Sequence, residues 1–292
     1  MAFRFNFNQD DSGIAEEVNG GVVPVLEKKA EMLAVAEAVE LEYEEEKLQL
    51  EDVAMETLTT SEGEEVKYCS AEDIQDRLNQ EKTDSVIVRA NSSNSDLIPH
   101  VYEGGLKVWE CSVDLTHYLS GLKLAFRGLK VLELGCGAGL PGLYTYCQGA
   151  LVDFQDYNKE VLQYVTMCNV FLNTPPDHGE WCRERCGYYA GDWSMVLQLL
   201  NSRNKKYDLI LTSETIYSLE SQQSLLSCLQ ELIKDDGDIY VAAKTCYFGV
   251  GGSTQNFQDL VSKNAVLDVE VVKTFTDGVQ REILHLKPKK RS

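Results

Sequence analysis

Between Gly128 and Ala243 the chain alternates short apolar runs with longer segments of helical character, and this alternation constrains the fold more than any other feature. The apolar runs predict strands at Lys130–Leu134, Leu151–Gln155, Tyr188–Ala190, Tyr207–Thr212 and Asp238–Ala243. The segments between them predict helices at Gly139–Cys147, Lys159–Leu172, Ser194–Asn201 and Ser221–Lys234. Apolar strands that alternate with helices are typical of a mostly parallel sheet covered on both faces.

Two more strands are predicted at the end of the chain, at Val266–Phe275 and Gln280–Leu286. Thr276-Asp277-Gly278 joins them, and Asp-Gly is a strong signal for a β-hairpin. We therefore expect a Rossmann-like α/β domain that closes with an antiparallel hairpin.

A glycine-rich turn follows the first predicted strand, in the sequence Val131-Leu132-Glu133-Leu134-Gly135-Cys136-Gly137-Ala138-Gly139. Glycines allow a sharp turn and let a ligand lie against the backbone, although such a motif alone also suits a dinucleotide. Two details favour S-adenosylmethionine. Glu133 could hold the ammonium of a methionine group but would repel a pyrophosphate, and the third glycine comes one residue early for a dinucleotide site.

Acidic residues follow the next two strands. Asp156 lies 19 positions after Gly137, where a carboxylate can bind both ribose hydroxyls of an adenosyl group. A helix-capping role beside Asn158 is the alternative, and the glycine turn favours the ribose role. After the third strand, Asp192 could bind the adenine amino group while Trp193 packs on the ring. A capping aspartate beside a core tryptophan explains this pair almost as well.

The fourth strand ends at Ser213-Glu214-Thr215-Ile216-Tyr217, at the edge where doubly wound folds bind ligands. Its Glu-x-x-Tyr pattern resembles the post-strand motif of protein-modifying seven-β-strand methyltransferases. The whole chain resembles the eukaryotic histidine protein methyltransferases of the methyltransferase-like 18 type. The matching stretches are Phe3–Asn8, Val101-Tyr102-Glu103-Gly104-Gly105-Leu106-Lys107-Val108-Trp109-Glu110-Cys111, Phe154–Asn158, Gly191–Trp193, Ser213–Tyr217 and Tyr247–Gly252.

This resemblance spans residues 97–286 and implies a class I methyltransferase sheet of seven strands. It implies methylation of one histidine ring in a large-subunit ribosomal protein, with S-adenosylmethionine as cofactor. The loop Tyr247–Gly252 would flank the substrate. The residues that would cover or surround the cofactor are Val108, Trp109, Glu110, Gly135, Gln155, Asp156, Tyr157, Gly191, Asp192, Trp193 and Ser213.

A neutral histidine ring already has a free lone pair at physiological pH, so its methylation needs positioning more than a strong base. We predict that Glu214 and Tyr217 orient the ring, with a purely structural role for Glu214 as an equal alternative. A lysine would first need deprotonation or desolvation, but the sequence does not exclude it, so a protein-lysine methyltransferase is the nearest alternative function. A chaperone-like module that binds a basic ribosomal protein is a second alternative, and the intact glycine turn argues against it.

The acidic charge is concentrated in the N-terminal part. Residues 1–85 contain 23 acidic and 7 basic side chains, a net charge of −16, out of −20 for the chain. We therefore predict an acidic, largely flexible extension with helical segments over residues 1–84 and the methyltransferase domain over residues 85–292. Within the extension, we expect a helix over Glu27–Met55, an acidic linker over residues 59–66 and a short helix from Ser70. The extension suits a basic protein partner or a solubilising role, and it argues against nucleic acid.

The remaining features of the sequence bear on membrane association, cellular location and metal binding. No apolar run is long enough to cross a bilayer, and no secretory signal is visible at Met1–Asn6. The cysteines are scattered, which favours reduced thiols in the cytosol or nucleus. We expect a monomer in the cytoplasm and nucleus, with the nucleolus included. His178, Cys182 and Cys186 suggest a zinc site only weakly, so we expect no metal. The basic tail Lys287–Arg291 suits either a nuclear import signal or a solvated terminus.

Overall fold

The computed structural model describes residues 35–45, 48, 53–80, 88, 98 and 101–290. The strands are β1 (Val39–Leu41), β2 (Met55–Thr59), β3 (Glu65–Cys69), β4 (Lys130–Leu134), β5 (Leu151–Asp156), β6 (Cys186–Ala190), β7 (Tyr207–Ser213), β8 (Ile233–Lys244), β9 (Leu267–Phe275) and β10 (Arg281–Pro288). The helices are α1 (Ala71–Gln80), α2 (Glu110–Gly121), α3 (Leu140–Cys147), α4 (Lys159–Val161, a π-helical Leu162–Thr166 and Met167–Leu172), α5 (Trp181–Glu184), α6 (Trp193–Ser202), α7 (Gln222–Leu232) and α8 (Thr254–Asn264). A 3-10 turn covers Pro176–His178.

The main sheet has the strand order β1-β6-β5-β4-β7-β8-β10-β9. The five strands β6-β5-β4-β7-β8 are parallel, and β10 and β9 form the predicted antiparallel hairpin. The strand order reverses beside β4, which carries the glycine-rich turn, and ligands of doubly wound folds bind at such a reversal. The α/β fold predicted from the alternating pattern is confirmed.

The apolar side chains divide between the two faces of the sheet. One core contains Leu115 and Leu119 of α2 with Leu143 of α3, and the other contains Leu225 and Leu229 of α7. All five side chains are fully buried. Helices on both faces leave the carboxyl edge of the parallel strands as the place where loops and side chains meet a ligand.

The sheet has eight strands rather than the predicted seven, because the N-terminal extension contributes β1. The predicted helix over Glu27–Met55 is wrong in its described part, where Val39–Leu41 pairs with β6. The predicted linker at residues 59–66 instead forms the turn of a hairpin, together with the adjoining ends of its two paired strands, β2 and β3. A turn that includes Gly63, at φ +91°, connects these strands.

Residues of the extension also join the cores of the domain. Val66, Ile74 and Leu78 are fully buried, and Tyr43 is 7% exposed. The helix predicted from Ser70 is present as α1, and Ser70 Oγ accepts the Asp73 amide at 3.5 Å. The described residues 35–80 are therefore packed against the domain, and the predicted boundary near Asp84 does not separate them from it.

Some predictions lie outside the described residues. One of them is the matching stretch at Phe3–Asn8, and another is the first part of the predicted helix, before residue 35. No helix within the described ranges is long and apolar enough to cross a membrane.

Candidate functional site

A cavity opens at the carboxyl edge of the parallel strands, with about 1000 Å³ of empty space when the solvent at its mouth is included. Its walls are the segment 103–109 and the turns that follow β4, β5, β6 and β7. Most residues predicted for the site line it, namely Val108, Trp109, Gly135, Gly137, Asp156, Tyr157, Gly191, Asp192, Trp193, Ser213, Glu214 and Tyr217. The strand-end positions thus converge as the sequence predicted.

Two glycines of the turn after β4 allow the close packing of the cavity wall. Gly135 and Gly137 have φ values of +61° and +52°, which favour glycine. A Cβ atom on Gly135 would lie 2.6 Å from Thr215 Cγ2, and one on Gly137 would lie 3.0 Å from the Gly105 carbonyl oxygen. The segment 103–109 therefore lies directly against the glycine turn.

Asp156 connects the turns that follow β4 and β5. Its Oδ2 atom accepts the Gly137 amide at 2.9 Å, and its Oδ1 atom accepts the Asn158 amide at 3.0 Å. The side chain is 4% exposed, and burial raises its pKa to about 6. Each carboxylate oxygen can accept more than one hydrogen bond, so these contacts leave capacity for a ligand hydroxyl.

Gln155 is not part of the cavity wall, although it was predicted to bind the cofactor. It is fully buried, and its Oε1 atom accepts both the Gly135 amide at 3.1 Å and Trp193 Nε1 at 2.9 Å. Its Nε2 atom donates to the Gly191 carbonyl at 2.9 Å. Gln155 therefore positions three lining residues from behind the wall.

Asp192 lies at the start of α6 and lines the cavity at the same time. Its Oδ1 atom accepts the Ser194 amide at 2.8 Å, so the capping role considered for it is realised. Trp193 is partly buried with its indole nitrogen bonded to Gln155. The two functions considered for this pair are therefore compatible in one geometry.

The segment 103–109 includes cavity residues that were not predicted from the sequence. Glu103, Gly105 and Lys107 line the cavity beside the predicted Trp109. Trp109 Nε1 donates to the Gly104 carbonyl at 3.0 Å and so holds the segment in a compact turn. The signal for these residues was present, because they fall within the matched stretch that includes Trp109.

Glu110 was predicted to bind the cofactor, but the structure places it outside the cavity wall. It is the first residue of α2, and it lies 4.0 Å from Arg281 Nη1. Arg281 pairs more closely with Asp114, at 2.6 Å. The carboxylate of Glu110 therefore belongs to an ion cluster that joins α2 to β10.

Glu133 also lies outside the cavity, in contrast to its predicted contact with the ammonium of a methionine group. It is fully buried, and its Oε2 atom accepts the Gly142 amide in the first turn of α3 at 2.8 Å. Its Oε1 atom has no hydrogen-bond partner. Burial raises the pKa of Glu133 to about 8. The side chain faces the helix that packs behind the glycine turn, which explains the difference.

We expect Glu133→Gln to change the affinity for the predicted donor by less than about 3-fold, because the side chain lies outside the cavity. The loss of an ion pair with an ammonium would cost more than that.

The free energy of unfolding of the wild-type protein should fall as the pH rises from 5 to 9. Folding keeps a proton on Glu133 up to a pKa of about 8, whereas the unfolded chain releases it near 4.5. The variant should lose most of that fall. Calorimetry and urea unfolding at pH 6 and 9 measure both, and a large loss of affinity would restore the ammonium role.

Glu214 is held by a buried network beneath the cavity. Its backbone has φ +57°, a strained value for a residue other than glycine. Its Oε2 atom accepts the Tyr247 hydroxyl at 2.5 Å, and its Oε1 atom lies 3.3 Å from Lys244 Nζ. The Lys244 amine in turn lies 5.5 Å from the centre of the Trp109 ring. Lys244, the last residue of β8, was not predicted to belong to the site.

Tyr217 closes the cavity from the other side. Its hydroxyl donates to the Glu103 carboxylate, and burial raises the pKa of Tyr217 well above its ordinary value. The Gly252 amide donates to the Tyr217 carbonyl at 2.9 Å, which ties the loop 247–252 to the turn after β7. The predicted orienting role of Glu214 and Tyr217 stays a prediction, and both side chains already have protein partners.

The weak zinc signal has a different structural setting. The His178 ring stacks on Trp181 at 4.3 Å, and Cys182 is buried with its sulfur 3.2 Å from Thr174 Oγ1. Across the described part of the chain, no group of three or more His, Cys, Asp and Glu residues could hold a metal ion.

Known proteins resemble this chain over the region that builds the cavity. A family model described as lysine methyltransferase matches residues 100–263, more than half of the chain. The histidine protein methyltransferase 1 homolog of Dictyostelium discoideum is 43% identical over 194 residues, which cover 66% of this chain and 60% of that protein. Histidine protein methyltransferase 1 of Schizosaccharomyces pombe is 35% identical, over 65% of this chain and 67% of that protein.

A lysine-directed relative is more distant. EEF1A lysine methyltransferase 3 of Mus musculus is 30% identical over 138 residues, which cover 47% of this chain and 55% of that protein. The chain spans about 60% of the length of the first curated relatives that it matches.

Proposed function

The chain belongs to the histidine protein methyltransferases of the lysine methyltransferase family, and on this basis we propose that it methylates a histidine ring of another protein. The observation that carries this proposal is the identity of 43% to a histidine protein methyltransferase homolog, against 30% over a shorter stretch to a lysine methyltransferase. The methyl donor is S-adenosylmethionine.

The lining of the cavity fits this donor. Among the described residues, four carboxylates and one amine line it, namely Glu103, Asp156, Asp192, Glu214 and Lys107. An acidic lining suits a ligand with a sulfonium and an ammonium group. Asp156 would bind the ribose, and Trp193 would pack against the adenine. The glycine turn allows the ligand to approach the backbone closely.

The donor supplies an electrophilic methyl carbon, whose bond to sulfur breaks as the lone pair of a histidine nitrogen forms the new bond. The protein must align that nitrogen with the methyl group and exclude water. Glu214 is bound by Lys244 and Tyr247, and Tyr217 donates to Glu103. Such mutually bonded side chains suit a nucleophile that needs no strong base, and a neutral histidine is one.

We also propose a ribosomal protein of the large subunit as substrate. The acidic extension supports this, because residues 1–85 carry a net charge of −16 and ribosomal proteins that bind RNA are basic. We propose that the enzyme acts as a monomer in the cytoplasm and nucleus, where such substrates occur.

The test is transfer of an isotopically labelled methyl group to large-subunit proteins taken from cells that lack the enzyme. Mass spectrometry should find the label on one histidine, and a Gly137→Val variant should transfer none. Label on lysine instead would support the lysine-directed alternative. An absence of transfer with an intact donor site would point to a substrate outside the ribosome.

The loop 247–252 offers an apolar side chain to the substrate. Phe248 is 78% exposed, although the loop that carries it is fixed by the bond between the Tyr247 amide and the Gly252 carbonyl, at 2.9 Å. We expect Phe248→Ala to raise the KM for the protein substrate about 10-fold, because a contacting phenylalanine buries a large apolar area. The donor affinity should stay unchanged.

Steady-state kinetics with the purified acceptor protein measure this effect. The matched control is Val266→Ala, which changes an apolar residue that is 49% exposed just before β9. Equal KM values for the two variants would show that Phe248 does not contact the substrate.

A further inference from the structure

The N-terminal extension reaches the donor cavity through the short strand β1. Val39, Glu40 and Leu41 pair with Ala190, Tyr189 and Tyr188 of β6. The last residue of β6 is followed directly by Gly191 and Asp192, which line the cavity. The extension therefore lies beside the turn that is expected to hold the adenine.

Direct contacts join the residues before β1 to this turn. The Asp192 amide donates to the Ala36 carbonyl at 3.2 Å. Gly191 has φ +122°, and a Cβ atom on it would lie 2.5 Å from the Glu37 carbonyl oxygen. The backbone of the extension thus packs against Gly191 with no room for a side chain.

The same turn is held from the domain side. The Gly191 amide donates to the Asp156 carbonyl at 3.0 Å, and the Gly191 carbonyl accepts from Gln155 at 2.9 Å. The contacts with Ala36 and Glu37 fix the remaining side of the turn. The extension therefore supports, from behind, the two residues Gly191 and Asp192 that a ligand in the cavity would contact.

Anchors away from the cavity keep the extension in this position. Glu40 accepts a hydrogen bond from the Tyr189 hydroxyl at 3.1 Å and forms an ion pair with Arg203. Tyr43 is buried, with its ring stacked 6.3 Å from that of Tyr188. Arg183 Nε donates to the Tyr43 carbonyl at 3.3 Å. These contacts belong to β1 and its flanks and do not touch the cavity.

We propose that residues 36–41 form an outer wall of the donor site, so that donor binding and the docking of β1 on the sheet stabilise each other. This inference rests on the proposed function. By linkage, anything that detaches β1 weakens donor binding, and bound donor holds β1 in place to the same extent. A protein partner that binds the acidic extension would in this way act on the donor site.

The first test is hydrogen exchange of the full chain with and without saturating S-adenosylhomocysteine, the demethylated donor. We expect slower amide exchange in residues 36–41 as well as in residues 189–193. Protection of residues 189–193 without any change in residues 36–41 would overturn the coupling. Failure of the ligand to protect any segment would overturn the proposed function, and the coupling with it.

The second test compares two core variants by calorimetry. Tyr43→Ala removes the anchor of β1. We expect the affinity for S-adenosylhomocysteine to fall about 5-fold, which corresponds to the loss of one neutral hydrogen bond, the one between the Asp192 amide and the Ala36 carbonyl. Phe126→Ala is the control, because Phe126 is a buried aromatic residue of the same core that packs edge-on against Tyr144 and does not line the cavity. Equal affinities in the two variants would reduce the role of Tyr43 to general stability and overturn the proposal.

Discussion

Replacing Asp156 with alanine is expected to weaken the binding of S-adenosylhomocysteine by at least about 100-fold. A hydrogen bond to a charged group contributes about 1.5–3 kcal/mol, and the variant loses the acceptor for two ribose hydroxyls. It also releases the Gly137 amide, which Asp156 holds at 2.9 Å. Calorimetry measures the affinity directly.

Asp153→Asn provides the control for this experiment. Asp153 lies on the same strand and is 9% exposed, but it pairs with Lys205 at 2.8 Å at the other end of the sheet. Its variant should bind the ligand with nearly wild-type affinity. Similar losses in both variants would mean that the Asp156 effect comes from general damage to β5.

The affinity should also depend on pH through Asp156. Burial raises the pKa of Asp156 to about 6. The ionised carboxylate can accept a hydrogen bond from both ribose hydroxyls, whereas the protonated form carries a hydrogen on one of its oxygens. We therefore expect the wild-type affinity to fall as the pH is lowered from 7 to 5. Asp156→Asn should bind weakly at every pH in this range. A wild-type affinity that is constant with pH would contradict the assignment.

Removal of one partner of the buried pair Lys244–Glu214 is expected to cause the largest loss of stability. The side chains are 5% and 4% exposed. Lys244→Met leaves the Glu214 carboxylate buried without its cation, which costs about 3–5 kcal/mol in the free energy of unfolding. The double variant Lys244→Met with Glu214→Gln removes both charges and should recover most of that loss.

Lys234→Met is the matched control, at the other end of β8. Lys234 lies 2.6 Å from Asp208, but its side chain is 36% exposed. Water screens such a pair, so its loss should cost no more than about 1 kcal/mol. Urea unfolding of the four proteins measures these differences. A loss in Lys244→Met no larger than in Lys234→Met would show that the buried pair is not held as the structure describes.

Much of the fold could be read from the sequence because apolar periodicity reports burial. Strand β4 was predicted with its observed bounds, and four of its five side chains are buried. The short strand β1 was missed because three residues amid many glutamates give no periodic signal. Its pairing depends on anchors that are distant in sequence, such as Tyr43 against Tyr188.

The site was predictable where residues follow strands, since parallel strands end at a common edge. Sequence does not reveal which way a strand-end side chain points when a helix packs beside it. Glu133 and Gln155 were both assigned to the cofactor, and both lie behind the wall. Lys244 escaped notice because its partner Glu214 lies 30 positions earlier in the chain, after a different strand.

The most direct test of the donor site is a crystal structure of the full chain with S-adenosylhomocysteine. We expect the ribose hydroxyls on Asp156, the adenine against Trp193 and the backbone of Gly135 and Gly137 against the ligand. Density for the ligand at another edge of the sheet, or an adenosyl group turned away from Asp156, would contradict the account.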